Sequence, residues 1–284
     1  MGIPTGRDLA KGMRRDSPHF PGAGCGALVP HPQSEPVPMF PAGSVEVKHL
    51  LVSVIVNVIL AAGSYAVGAV NVSGVVGGLI VGILILSLGG WESFAILILF
   101  FVAGSAATKL GYRRKAALGV AQEDKGRRGA KHAFANCGTG AIAAILHQLI
   151  PGADWPLAIL AGGFATALFD TASSEIGQLY GKHPFLITTL KPVPVGTDGA
   201  VSVEGTLAGL AAGALLAAVG AFSGLYGVKG FIFVVAGAFI GTTFESILGA
   251  FGTGGKRINN EVLNFLNTLV GGAAAGALVY FFGR

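Results

Sequence analysis

From residue 48 onward, apolar runs follow one another with little polar sequence between them. Each is long enough to cross a hydrocarbon core of about 30 Å at 1.5 Å per residue. The pattern predicts spans at 50–70, 72–89, 91–110, 133–150, 156–174, 205–224, 229–250 and 262–282. The run at 72–89 is short and almost touches its neighbours, so it could be re-entrant; eight spans is the expectation, with seven or six as the fallback. Glycines recur four apart within the runs: Gly74, Gly78 and Gly82; Gly205, Gly209 and Gly213; Gly272 and Gly276. Small residues in that register let helices in lipid approach closely, and these stripes are expected to be packing surfaces.

Residues 1–46 have no helical or alternating period and hold eight of the 13 prolines. They read as a disordered N-terminal tail ahead of a transmembrane domain over 47–284. Met39 offers an alternative start, which would make the tail an extension. Met1-Gly2 lacks the Ser or Thr that N-myristoylation wants at the sixth position, where Gly6 stands. No secretory apolar run precedes Cys25.

Composition sharpens the class. Apolar residues make up 52% of the chain, charged residues 12%, and mean hydropathy is +0.69. A soluble chain carries roughly 25% charge, so a soluble domain is excluded and an all-α, polytopic helical bundle is expected. Net charge is +5, but the basic residues sit in loops beside apolar spans, which argues for membrane lipids and against nucleic acid as the partner. Twelve of the 19 Lys and Arg fall in the loops after the third, fifth and seventh spans. The positive-inside bias puts the loops 110–132, 175–204 and 251–261 in the cytoplasm, with the chain integral to the inner or cytoplasmic membrane. The basic residues of the tail pull the other way. Cys25 and Cys137 form no metal or redox motif.

Polar residues gather at one set of helix ends. These are Lys109, Asn136, Asp170 through Glu175, Ser202, Glu204, Glu245, and Asn259, Asn260, Glu261, Asn264 and Asn267. With alternating crossings all of them lie on the same side, whereas the opposite connections offer little beyond Glu92 and Asp154. Asp170, Ser173 and Ser174 share one helical face at i, i+3 and i+4. Phe169-Asp170-Thr171 echoes Phe244-Glu245-Ser246, and Phe134-x-Asn136 echoes Phe265-x-Asn267. The echo makes Asp170 and Glu245 counterparts in a faint internal repeat.

Carboxylates beside lysines and Gly-rich loops suggest Mg²⁺ with phosphate, since Mg²⁺ takes one or two carboxylates and completes its shell with water and substrate oxygens. Asp170, Glu245 and Glu204 are the candidate metal ligands. Asp170, Ser174, Glu175 and Asn136 are the candidate catalytic and orienting groups. The loop with Lys191, Gly196, Thr197, Gly199 and Ser202 could present backbone N–H groups to an anion. Lys109, Arg128 and Lys191 could neutralise phosphate, with Asn260, Asn264 and Asn267 completing the polar wall. Plainer readings stand beside these. Asp170 or Glu245 could form a structural bridge with Lys109, and Asn136 and Asn267 could join helices. Arg113, Arg114 and Lys115 read as topology determinants and anionic-lipid contacts. His132 and His147 lack ligand spacing. The Gly-rich run 252–257 is not a P-loop, because Arg257 stands where Ser or Thr is needed.

Several ordered motifs resemble one family. They are Phe100-Phe-Val-Ala-Gly-Ser-Ala-Ala-Thr-Lys-Leu-Gly111, Ala135-Asn136, Asp170-Thr-Ala-Ser-Ser-Glu-Ile-Gly177, Gly196-Thr-Asp-Gly-Ala-Val-Ser-Val-Glu-Gly-Thr206 and Asn259-Asn-Glu-Val-Leu-Asn-Phe-Leu-Asn-Thr268. Across roughly 50–282 the chain is similar to the integral membrane proteins of domain of unknown function 92, also called transmembrane-protein-19-like. That family includes the phytyl-phosphate kinases of plants and cyanobacteria. The resemblance implies phosphorylation of an isoprenyl monophosphate, such as phytyl or geranylgeranyl phosphate, by a nucleoside triphosphate, CTP for preference, with Mg²⁺. The competing expectation is an ion-coupled transporter of a small solute, suggested by acidic residues on two spans and Gly-interrupted helices.

Overall fold

The computed structural model describes residues 47–252 and 258–283. The expected tail over 1–46, and the part of the last polar loop at 253–257, lie outside them. The described residues form helices α1 (Val47–Ala66), α2 (Val72–Lys109), α3 (Tyr112–Ala117), α4 (Ala130–Leu149), α5 (Trp155–Tyr180), α6 (Val203–Phe222), α7 (Val228–Gly252) and α8 (Asn260–Phe282). A 3₁₀ turn lies at Asp124–Gly126. A two-stranded antiparallel ribbon pairs β1 (Phe185–Leu186) with β2 (Ala200–Val201). Six helices (α1, α2, α5, α6, α7 and α8) are long and apolar enough to cross a membrane.

A straight α2 of 38 residues would be about 57 Å long, nearly twice the hydrocarbon core. It is not straight. Gly90 breaks it with φ 77° and ψ −178°, a conformation essentially confined to glycine. Contacts show that the chain reverses there. A Cβ on Gly74 would meet the Arg128 carbonyl oxygen at 2.0 Å, and one on Gly104 would meet the Arg128 guanidinium at 2.7 Å. Thirty residues of straight helix would hold those two glycines about 45 Å apart. The runs expected at 72–89 and 91–110 are therefore two antiparallel halves of α2, joined by one residue. At its far end Lys109 donates to the Val67 carbonyl at 3.3 Å, closing the hairpin on the side where it began. α4 matches α1 in length but is less apolar, carrying Asn136, Thr139, His147 and Gln148. It packs against α2, α5 and α8.

α5 is the most enclosed span. Two thirds of its most apolar window is buried, against 11% for α1. It packs against α2, α4, α6, α7 and α8, and it can touch so many because its neighbours present glycine. Gly205, Gly209 and Gly213 of α6 lie on Ser173, Phe169 and Ala165. Gly272 and Gly276 of α8 meet Ile159. Gly241 of α7 abuts the Asn267 carbonyl, which a Cβ would approach to 2.5 Å. Two of the expected packing stripes thus act as such. The third does so only in part: Gly74 and Gly82 are in contact, but Gly78 faces open space.

The polar loops fold back on one face. The 110–129 connection is clasped to the start of α2, where the Asn71 amide donates to Asp124 at 3.0 Å and Arg127 pairs with the same carboxyl at 2.5 Å. The Asn71 hydrogen bond, then Arg127, hold that carboxyl below its usual range. Arg128 stitches this loop to the α1–α2 connection through Arg128 N–H to Ala69 (3.0 Å) and Asn71 N–H to Arg128 (3.2 Å). The 181–202 loop folds onto the end of α7, placing Gly199 against Ser246 and Ala250.

Gly241→Val should cost about 1–3 kcal/mol through overpacking against backbone, and Gly90→Ala a similar amount through its forced positive φ. Both should melt earlier in detergent than the parent. Gly63→Ala, where an added Cβ meets nothing within 4 Å, should melt with it. Equal melting of all three would show that these contacts do not constrain the bundle.

Candidate functional site

A cavity of about 360 Å³ opens among the C-terminal turns of α5 and α7, the N-terminal turns of α4, α6 and α8, and the 181–202 loop. Helix direction explains why these ends meet: α5 and α7 arrive where α4, α6 and α8 depart. Asp170, Ser174 and Glu175 from α5, Glu245 from α7, Asn260 and Asn264 from α8, and Gly196, Thr197, Gly199 and Ser202 from the loop all line it. Asn267 stands just behind and donates to Glu245.

Asp170 and Glu245, the paired positions of the echoed tripeptides, face each other within hydrogen-bonding reach. Two facing carboxyls need a proton or a cation between them. Glu175 is buried and pairs with Lys115, whose ammonium also donates to the Thr108 carbonyl at 2.8 Å. Only one Glu175 oxygen is used. The other, Oε1, is buried without a hydrogen-bond partner.

Among the described residues, the cavity lining carries Asp170, Glu175, Asp198 and Glu245 and no Lys or Arg. The phosphate-neutralising Lys109, Arg128 and Lys191 expected beside these carboxylates are not in the lining. Lys109 is exposed and bonded to the α1–α2 connection. Lys191 is exposed on the loop and is not part of the lining. Glu204 also lies outside the lining. Asn136 is buried and donates to the His132 carbonyl at 3.0 Å, within its own helix. The loop is also less of an anion nest than expected, since the amides of Thr197 and Ala200 are taken by Pro194 (3.3 Å) and Thr197 (3.0 Å). Ser202 caps α6, its hydroxyl accepting from Gly205 N–H at 3.1 Å.

Arg128 points elsewhere. It is 6% exposed and lines a second, smaller cavity of about 100 Å³ between α1, α2 and α4. Its guanidinium lies 5.2 Å from the centre of the Phe100 ring, and Nε and Nη2 are buried without a partner. A desolvated cation–π contact supplies roughly 2 kcal/mol, whereas burying an unpaired ion costs several. The ring does not balance the charge.

The sequence reading missed two residues. Lys115 was grouped with Arg113 and Arg114 as a topology marker, yet it is fully buried while they are exposed. Its signal is local: Lys115 follows the half-buried Tyr112 by three residues, which puts both on the inward face of α3. His132 was set aside for want of ligand spacing. It lines both cavities.

Mg²⁺ is compatible with this donor set. Among the described residues no three His, Cys, Asp or Glu converge on one point, but Mg²⁺ needs only one or two carboxylates, and Asp170 with Glu245 supplies them.

Removing one partner of a buried ion pair leaves the other uncompensated, at a cost of about 3–5 kcal/mol. Lys115→Met should lower the melting point sharply. The double variant Lys115→Met/Glu175→Met should recover most of the loss in a thermal melt. A double variant no better than the single would show that the pair is not what Lys115 contributes.

Comparison with known proteins places the chain among integral membrane proteins. An uncharacterized membrane protein of Synechocystis sp. is 42% identical over 69% of the chain and 77% of its own length. Protein VTE6, chloroplastic, of Arabidopsis thaliana is 38% identical over 74% of the chain and 65% of its own length. An uncharacterized membrane protein of Methanocaldococcus jannaschii is 34% identical over 81% and 94% respectively. No solved structure matches. The family model described as integral membrane protein DUF92 matches residues 55–272, and the chain belongs to that family.

Proposed function

We propose that this protein is a membrane-embedded lipid-phosphate kinase, transferring the terminal phosphoryl group of a nucleoside triphosphate, CTP for preference, to an isoprenyl monophosphate. The observation that carries the reading is the facing pair Asp170 and Glu245 at the wall of an acidic cavity, reached from helix ends and loops on one face. An acidic cavity repels bare polyphosphate and accepts it when a divalent cation accompanies it. The family likeness read from the sequence motifs supports the same acceptor.

The chemistry asks little of the protein beyond position and charge. An oxygen of the prenyl monophosphate forms a bond to the terminal phosphorus of the nucleotide. The bond from that phosphorus to the bridging oxygen breaks, and the electron pair leaves on the nucleoside diphosphate. A monophosphate oxygen is already a nucleophile, so no strong general base is required. Bound Mg²⁺ would supply charge neutralisation on the phosphate oxygens, with Asp170 and Glu245 as its protein ligands. Asn267 holds Glu245 in place. Ser174, Asn260 and Asn264 offer neutral donors to phosphate oxygens, while the 181–202 loop covers the cavity from the water side.

Purified protein in detergent, given CTP, Mg²⁺ and geranylgeranyl or phytyl monophosphate, should form the diphosphate. Asp170→Asn and Glu245→Gln should each lower kcat at least about 100-fold, the scale of losing one electrostatic contact to the transition state, with melting points within a few degrees of the parent. Mg²⁺ with CTP should raise the parent's melting point. No product with any of several prenyl phosphates and donors, together with no nucleotide protection in folded protein, would sink the kinase and leave the ion-coupled transporter as the better account.

A further inference from the structure

The second cavity has the two chemical faces of an amphiphile. Leu60, Val81, Phe94 and Leu97 supply apolar walls, and Arg128 stands in the lining as a buried guanidinium with two unpartnered nitrogens. The Phe100 ring lies beneath it, its centre 5.2 Å from the guanidinium carbon. The carboxylate whose field reaches Arg128, Glu175, is already engaged by Lys115. The Arg128 backbone is fixed where its side chain enters the cavity, bonded to Ala69 and to Asn71. Gly78, in the middle of a glycine stripe that otherwise packs, opens onto this space with nothing within 4 Å of a Cβ.

We propose that this cavity binds a membrane amphiphile with one phosphate monoester head, the head on Arg128 and the first part of its hydrocarbon tail between α1 and α2. Guanidinium suits the head, since its planar fork of donors matches phosphate oxygens. The cavity, at about 100 Å³, holds the head-proximal carbons only, so the rest of the tail lies outside it, along the bundle. α1 is the natural side of entry: only Ser53 and Asn57 of its residues are buried, and it packs chiefly on α2. Resting on the kinase reading, this assigns the acceptor to the second cavity and the nucleotide to the first. His132 is in the lining of both cavities and marks where they adjoin.

The test is binding, measured by native mass spectrometry on full-length protein in phosphatidylcholine nanodiscs. The probes are geranylgeranyl monophosphate, geranylgeraniol, inorganic phosphate and phosphatidylglycerol. The parent should bind the monophosphate at least about tenfold tighter than the others, a margin one charge-assisted contact supplies. Arg128→Gln should erase that margin while binding of the alcohol stays the same. Gly78→Leu, whose Cβ meets nothing within 4 Å, adds bulk at the cavity lining and should weaken monophosphate and alcohol alike, and it serves if Arg128→Gln melts early. Unchanged monophosphate affinity in folded Arg128→Gln, or in Gly78→Leu, overturns the assignment. Equal competition by phosphatidylglycerol overturns it as well, making the site one for bilayer phospholipid. Inorganic phosphate binding as tightly as the monophosphate would overturn the role of the tail. The kinase reading fails separately: Arg128-dependent binding without any phosphoryl transfer would sink the kinase and keep the site.

Discussion

Most of this bundle is arranged around α5, because lipid offers no hydrophobic reward for bringing helices together. Between hydrocarbon tails the gain comes from close van der Waals packing and a few hydrogen bonds. α5 collects that gain on nearly every side: glycines of α6, α7 and α8 let those backbones come close, and Thr139 of α4 reaches Thr268 of α8 at 3.0 Å beside Gly163. The last turns of the same helix carry Asp170, Ser174 and Glu175. The cavity is therefore positioned by the packing of the most enclosed helix, and its carboxylates are no freer to move than the core beneath them.

The two cavities divide the charge between them. The larger is walled by carboxylates and polar amides. The smaller is apolar but for a few groups, Arg128, Asn57 and His132 among them. Lys115 pairs with one oxygen of Glu175, while Arg128 lies against the Phe100 ring in the smaller cavity. The larger cavity gathers carboxyl groups, the smaller a guanidinium.

How much of this was legible in the sequence depended on periodicity. The spans were readable because crossing a hydrocarbon core demands long apolar runs, and the convergence of polar helix ends followed from alternation alone. The repeated tripeptide marked Asp170 and Glu245 as counterparts, but not that their side chains face each other. What could not be read was direction within loops. Arg127 and Arg128 are adjacent and identical in type, yet one pairs with Asp124 in the open and the other is buried. Arg113, Arg114 and Lys115 differ in the same way. Which of several neighbouring charges turns inward is set by the backbone path between helices, and no hydrophobic period records that path. Gly78 shows the converse. Its place in a regular stripe says packing, while the helices around it leave a gap.

The one-residue reversal at Gly90 ties the protein to the thickness of its bilayer. The halves of α2 span about 27 Å each at 1.5 Å per residue, and the turn holds no slack between them. Trp91 is half-exposed immediately after the break, where an amphipathic ring settles at the level of the lipid headgroups. A longer loop would let each helix tilt or slide to match a thicker membrane. This turn cannot, so the surrounding lipid must adapt, at fractions of a kcal/mol for each Å of mismatch. Bilayer composition thereby becomes a mechanical load on the wall of the cavity that holds Arg128, because that wall is built from the same two half-helices.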